Sequence, residues 1–414
     1  MLSNLSGVVA LSLAASITVS AAKPHLVVFG NSLSDIGNVE NLSTDIPYWN
    51  RRFSNGPVWN EYLAYFNNYT LINFAIGGAT SNNTSVKKFT NKTVEIPSAL
   101  EQIGLFSNTF GGKFEPSTMK DDIAVIEIGG NDLLSGVELE AALKIDVEAF
   151  ASSVAGNIVD SVKIVKGLGY KKIIVTAVSD ISDIPATSML SESSSDNVSK
   201  YPTAINDKLD SLLNSEFSAN NSTDFIRLIN LNQVINIIAD NFKDQLNITV
   251  TDEPCYVVSD SYKLLSVCNN SDNYVFTDSV HPSTKTHALL ASIIAQAVNN
   301  TSFEINEKSV EPLISRYNLT NANSRSNFLY DSDSYSTGKV KIESYTIKSA
   351  ILNANAIIAT KNSQKNTSSD DENETNTTKS DSKSDSKSSA AFTYEPMPLI
   401  SAIFAFCAFF FSSI

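Results

Sequence analysis

The chain has 414 residues, 42% of them hydrophobic, and carries 30 Lys and Arg against 44 Asp and Glu, a formal net charge of −14. That apolar share suffices for a sizeable folded core. The acidic balance repels phosphate backbones and excludes nucleic acid as a partner.

The amino terminus, MLSNLSGVVALSLAASITVSAAK, holds an apolar stretch from Val8 to Val19 and then small residues up to Ala22. Residues 1–22 read as a secretory signal peptide, although no Lys or Arg precedes the apolar stretch. A short membrane anchor is the alternative, but the run is too short to span a bilayer comfortably. Sequons at Asn41, Asn68, Asn91, Asn197, Asn247 and Asn318 agree with secretion, with some chance matches expected in an Asn-rich chain.

From residue 25 to about 300, strand-like runs alternate with helical patterns. The runs are LVVF (26–29), TLINFA (70–75), IAVIEIG (123–129), KIIVTAV (172–178) and FIRLINL (225–231). They are short, apolar and rich in β-branched residues, as buried parallel strands are. VWNEYLAYF (58–66) sets Trp59, Leu63 and Phe66 on one helical stripe. VELEAALKIDVEAFASSVAGNIVDSVKIV (137–165) is a helical pattern long enough to be broken, and TAINDKLDSLLNSEF (203–217) and STKTHALLASIIAQAV (283–298) follow. The alternation predicts an α/β fold around a parallel sheet.

There are three cysteines, and Cys255 and Cys268 share one loop-like segment. In an oxidising compartment they are expected to close a ring, which would stabilise by about 3 kcal/mol in the chain-entropy account; two buried thiols are the alternative. Residues 301–360 read as an extension of uncertain role, with a strand-like alternation at 338–348 and a helical pattern at 349–360. Residues 361–390 are Ser, Asn, Thr, Asp and Lys and cannot bury a core, so they read as a disordered stalk. Residues 391–414 end in LISAIFAFCAFFFSSI, and with Ser388, Ser389 and Ala390 upstream they match a GPI-attachment signal that would be removed together with Cys407. Ser388 is the candidate attachment residue, and a plain C-terminal membrane anchor is the alternative.

Chemistry concentrates at the strand ends. FGNSLSDIGN (29–38), NFAIGGATS (73–81), IEIGGND (126–132) and FTDSVHPSTKTHALLA (276–291) occur in that order, with RRFSNGPVWNEYLA (51–64) between the first two. Over residues 25–300 these blocks resemble the GDSL, or SGNH, hydrolase family, in its branch of secreted lipases and carbohydrate acetylesterases. The resemblance implies a three-layer αβα, flavodoxin-like domain over residues 23–300 and a serine ester hydrolase with no cofactor and no metal. It is expected to act as a monomer at the cell surface, on an acetylated carbohydrate or a lipid ester.

The residues fit that chemistry on their own terms. Ser32 follows the first strand at a turn that Gly30 permits, where a hydroxyl projects from the carboxyl edge of a sheet. His281 is preceded three residues earlier by Asp278, close enough to hold the imidazole. Of the other two histidines, His25 precedes the first strand and His287 falls within a helix. The Ser32 and Gly78 N–H groups and the Asn131 amide are candidate oxyanion donors. Position 34 is Ser, so the chain lacks the G-x-S-x-G elbow of α/β-hydrolases.

One residue departs from the family, which carries Asp where this chain has Asn31. Asn keeps an acceptor oxygen, so a turn hydrogen bond survives and a charge role does not. The loops around Ser32 are small and polar, with Leu33, Ile36 and Leu133 left to line a shallow slot, which favours short acyl groups such as acetate. Trp59 is either a platform for a sugar ring or a core residue. A rival reading is a glycosylated surface protein that uses an inactive hydrolase fold for binding or adhesion.

Overall fold

The computed structural model describes residues 23–217, 224–259, 263–331 and 338–363; the leader, residues 364–390 of the expected stalk and the GPI-signal segment, with Ser388, lie outside them, whereas Lys361 and Asn362, expected to open the disordered stalk, end a helix instead. Among the described residues ten strands occur in chain order: β1 (His25–Gly30), β2 (Thr70–Asn73), β3 (Ile123–Glu127), β4 (Lys172–Thr176), β5 (Phe225–Ile229), β6 (Val250–Pro254), β7 (Tyr256–Val258), β8 (Leu264–Val267), β9 (Tyr274–Phe276) and β10 (Ser344–Tyr345). Six of them form one sheet in the order β10-β2-β1-β3-β4-β5, every pairing parallel. The inner order 2-1-3-4-5 is that of flavodoxin-like sheets, and helices cover both faces.

The period of two explains the layers. Leu26 and Val28 of β1, with Ile123 and Val125 of β3, face a core built with the helices Trp59–Asn67, Thr284–Asn299 and Glu307–Arg316. Val27, Phe29, Ala124 and Ile126 face the opposite core, under Ala99–Phe110, Val147–Gly167 and Glu192–Phe217. There Phe106 meets Phe29 and Phe74 edge to face, with ring centroids 5.5 and 5.3 Å apart.

The long helical pattern at 137–165 is two helices, Val137–Ala141 and Val147–Gly167. Leu143 takes a left-handed backbone (φ 50°), and Asp146 starts the second helix by accepting the Ala149 N–H at 2.7 Å. The helix expected at 203–217 begins earlier, at Glu192, and runs through a buried Pro202.

The described residues of 301–360, read from the sequence as an extension of uncertain role, are built into both cores. Val310, Leu313, Leu319 and Leu329 join one core; Ala350 and Ile357 join the other. β10 extends the sheet beside β2, Ser344 opposite Leu71. In the last helix, Ala354–Asn362, the buried Lys361 ammonium pairs with the buried Asp122, which also accepts the His25 N–H at 2.7 Å. Such a buried pair is costly to break from one side, typically about 3–5 kcal/mol. The folded unit therefore extends past residue 300 to the end of this helix.

Candidate active site

The loops that follow β1, β2 and β3 leave the sheet side by side at its carboxyl edge, where open α/β sheets hold their ligands. Ser32 stands two residues past β1, Gly78 five past β2 and Asn131 four past β3. A fourth loop, between β9 and the helix Thr284–Asn299, brings in Asp278 and His281. That loop is closed tightly: the Thr277 N–H reaches the His281 carbonyl at 2.7 Å, and the Ser283 N–H reaches the Val275 carbonyl at 2.7 Å.

The side chains form one hydrogen-bonded chain. Ser32 Oγ lies 2.8 Å from His281 Nε2, and His281 Nδ1 lies 2.8 and 2.9 Å from the two oxygens of Asp278. Asp278 Oδ1 also accepts the N–H groups of Val280 and His281, both at 2.8 Å, and Oδ2 accepts the Tyr48 hydroxyl. Burial alone would raise the Asp278 pKa, but the imidazole, the Tyr48 hydroxyl and the Val280 N–H outweigh it and hold the carboxyl below its ordinary value. The Phe53 ring lies 5.0 Å from the imidazole. Ser32 is 8% exposed, so the residue is largely buried but keeps a solvent-accessible part.

The candidate oxyanion donors lie on the loops at the same edge of the sheet. Among the described residues, neither the Ser32 nor the Gly78 N–H has a protein acceptor. Asn131 spends one Nδ2 hydrogen on the Ala79 carbonyl at 2.9 Å, which orients its amide and leaves the second hydrogen available. Gly78 has φ +88°, a backbone that side-chain-bearing residues rarely adopt. Two buried carboxylates tie these loops together. Asp35 accepts the N–H groups of Gly37, Asn38, Val39 and Gly77 at 2.6 to 3.2 Å. Asp132 accepts the N–H and hydroxyl of Ser81 at 2.8 and 2.6 Å.

Every triad and oxyanion residue named from the sequence thus stands at this edge, and other features differ. Trp59 is not a surface platform: it is 3% exposed and donates its indole N–H to Ser34 Oγ at 3.0 Å. Ile36 and Leu133 are buried in the two cores, which leaves Leu33, half-buried, as the apolar residue of the expected slot. His25 and His287 are buried and uncharged, their pKa values pushed down to about 3 chiefly by burial. Asn31 makes the turn bond its oxygen was expected to make, accepting the Leu33 N–H at 2.9 Å, but its Nδ2 also donates to Glu127 at 3.1 Å. Sequence reading passed over Tyr48 and Glu127. Tyr48 carried no pattern, whereas Glu127 was visible as an acid inside an apolar strand run. The sulfurs of Cys255 and Cys268 are bonded, and the neighbouring Tyr256 ring packs 6.2 Å from Tyr48.

Near Asp132, Glu140 is fully buried, neither oxygen has a hydrogen-bond partner among the described residues, and its pKa is pushed up to about 9 by burial and then by Asp132. Its folded value lies above its unfolded one, so this carboxyl costs nothing below about pH 4.5 and lowers stability progressively up to about 9. Glu140→Gln should therefore gain on wild type as pH rises, by up to about 1.4 kcal/mol per pH unit in that window. Thermal unfolding from pH 5 to 9 measures the gap; a gap that stays constant would show that Glu140 ionises freely in the folded state.

Comparison with known proteins agrees with this geometry. Residues 26–294 match the family model described as GDSL-like Lipase/Acylhydrolase. The chain is 33% identical over 144 residues to a phosphatidylcholine-sterol acyltransferase of Aeromonas hydrophila, covering 32% of this chain and 39% of that protein. It is 24% identical to a thermolabile hemolysin of Vibrio parahaemolyticus, covering 66% of this chain and 64% of the other. A GDSL esterase/lipase of Arabidopsis thaliana is also 24% identical, covering 66% of this chain and 90% of the plant protein. The chain thus spans less than two thirds of the length of the two bacterial proteins.

Proposed function

Because the chain belongs to the GDSL-like lipase/acylhydrolase family, we propose that it hydrolyses carboxylic esters with Ser32 as nucleophile. The observation that carries this reading is the continuous chain from Ser32 Oγ through His281 to Asp278. In the reaction, Ser32 Oγ attacks the ester carbonyl while His281 Nε2 takes its proton, and the carbonyl oxygen becomes an oxyanion facing Ser32 N–H, Gly78 N–H and Asn131 Nδ2. The C–O bond to the alcohol then breaks, and His281 returns the proton to the departing alkoxide. A water molecule, deprotonated by His281, attacks the acyl-serine, releases the carboxylic acid and restores Ser32. Asp278, ionised and bonded to Nδ1, keeps Nε2 free to accept a proton and stabilises the imidazolium.

The substrate reading is a short acyl ester such as an acetylated carbohydrate. A long acyl chain needs a continuous apolar channel, because each buried methylene contributes about 0.8 kcal/mol. Burial of Ile36 and Leu133 removes two of the three side chains that would have begun one. The name of the Aeromonas relative favours a lipid ester instead. The deciding measurement is kcat/KM across p-nitrophenyl esters from acetate to palmitate at constant detergent. An optimum from acetate to butyrate is expected; an optimum at ten or more carbons would make this a lipid acylhydrolase. No turnover on any ester, with Ser32 inert to a fluorophosphonate, would leave a binding protein on the same fold.

The leader and C-terminal patterns support a GPI-anchored protein at the cell surface. Phosphatidylinositol-specific phospholipase C should release it from membranes, and a mature protein that retains FAFCAFFF by mass spectrometry would rule this anchor out.

A further inference from the structure

We propose that Glu127 and Asn31 act as a matched donor–acceptor pair that positions the nucleophile, an inference that rests on Ser32 being that nucleophile. The pairing of β1 with β3 sets Glu127 opposite Gly30, so its side chain rises beneath the loop that carries Ser32. Glu127 is buried and has bonds to residues on both sides of Ser32. Its Oε1 accepts the Asn31 Nδ2 hydrogen at 3.1 Å, and its Oε2 accepts the Ser34 hydroxyl at 2.8 Å. Ser34 Oγ in turn accepts the Trp59 indole N–H, so the hydroxyl has one direction left in which to donate. Asn31 is equally committed, since its oxygen takes the Leu33 N–H. The turn is therefore held at both ends by one carboxyl group, without contact between that carboxyl and a substrate.

This arrangement dictates which substitutions match. Asn31→Asp keeps the bond to Leu33 but sets one carboxyl oxygen against another about 3 Å away, in place of a donor against an acceptor. Glu127→Gln fails for the opposite reason. If the new oxygen faces Asn31, the new NH2 faces Ser34 Oγ, which already accepts from Trp59 and has lost its own acceptor. If the NH2 faces Asn31, two donors meet. Together the changes fit: the amide NH2 at position 127 donates to the carboxylate at position 31, and the amide oxygen accepts the Ser34 hydroxyl. The carboxylate and the amide would simply exchange positions between the loop after β1 and the end of β3.

The experiment measures kcat, KM and the rate of fluorophosphonate labelling at Ser32 for wild type, Asn31→Asp, Glu127→Gln and the double variant, with melting curves on each. Each single variant should lose about tenfold or more in kcat and in labelling rate while KM stays within about twofold, because the pair orients Ser32 and does not touch substrate. The double variant should return to within about threefold of wild type. A double variant no faster than the slower single variant overturns the pairing, as does a double variant that fails to fold. If one single variant does not fold, comparison of the double with the other decides. Loss of melting temperature with unchanged kcat in the folded protein also overturns it, since the pair would then be structural only. Absence of labelling at Ser32 in wild type is a different failure, that of the nucleophile assignment itself.

Discussion

Ser32→Ala is expected to lower kcat by about five to six orders of magnitude, and adding His281→Ala should lower it little further. The reason is that the proton has one route. His281 Nε2 sits 2.8 Å from the hydroxyl it would deprotonate, and without that hydroxyl the imidazole has nothing to activate except water at a site shaped for an acyl carbon. Residues that act on one proton fail as a unit, so their losses do not add. Some rate above the uncatalysed reaction should persist, because the donors at Ser32, Gly78 and Asn131 are carried by backbone and amide groups that the substitution leaves in place. The fold should be little changed, since Ser32 lies in a loop and, among the described residues, its hydroxyl has one hydrogen bond, to His281. Turnover of a p-nitrophenyl ester, fluorophosphonate labelling and a melting curve on the same preparation check all three statements. Near wild-type turnover in Ser32→Ala, or a double variant whose loss equals the product of the two single losses, would overturn the mechanism.

Asp278→Asn should lower kcat by about 10⁴-fold with the geometry almost intact. The backbone makes this substitution unusually informative. Two N–H groups, of Val280 and His281, hold Oδ1, so the amide oxygen of an Asn must take that place and its NH2 must take the place of Oδ2. That NH2 then faces His281 Nδ1 and the Tyr48 hydroxyl. The NH2 competes for Nδ1 with the amide oxygen, which stands 2.9 Å from it at the Oδ1 place; where Nδ1 accepts from the NH2, the ring proton moves to Nε2, and Nε2 can no longer receive a proton from Ser32. Tyr48 can rotate its hydroxyl to accept, so the variant should fold. Nitrogen-15 NMR of the imidazole reports the tautomer directly. A variant with the proton still on Nδ1 and most of its activity would show that Asp278 does not set the tautomer.

Much of this site was legible because the candidate catalytic residues stand next to strand ends, and strand ends are marked by a switch from apolar runs to Gly, Asn and Ser. LVVF ending at Gly30 places Ser32, and IAVIE ending before two glycines places Asn131. What escaped depends on contacts between segments that sequence spacing does not encode. Tyr48 meets Asp278 across 230 positions, from a loop with no period of its own. β10 falls inside the 338–348 run whose alternation reads as a strand, but only two of its residues pair, and nothing in the spacing says that they join β2, so the segment looked like an appendage. Trp59 shared a stripe with Leu63, which pointed correctly to a core face; reading it as a platform required an exposure that its bond to Ser34 removes. The break at 142–146 was signalled by Asp146, an N-cap residue inside an otherwise continuous apolar period.

The ion pair of Lys361 with Asp122 has a directional meaning. Asp122 immediately precedes β3 and also binds the first residue of β1, so the last helix is fastened at the amino edge of the sheet. Lys23 enters at that same edge, one residue before Pro24 and the start of β1. Both ends of the folded body therefore leave from one pole, while Ser32 opens at the other, about 20 Å away by the length of a six-residue strand. If either end of the folded body were fastened directly to a surface, Ser32 would stand at the pole away from it. Esters dissolved in the medium or displayed on a facing surface would meet Ser32 head-on, whereas lipid in the surface that holds the protein would lie behind it.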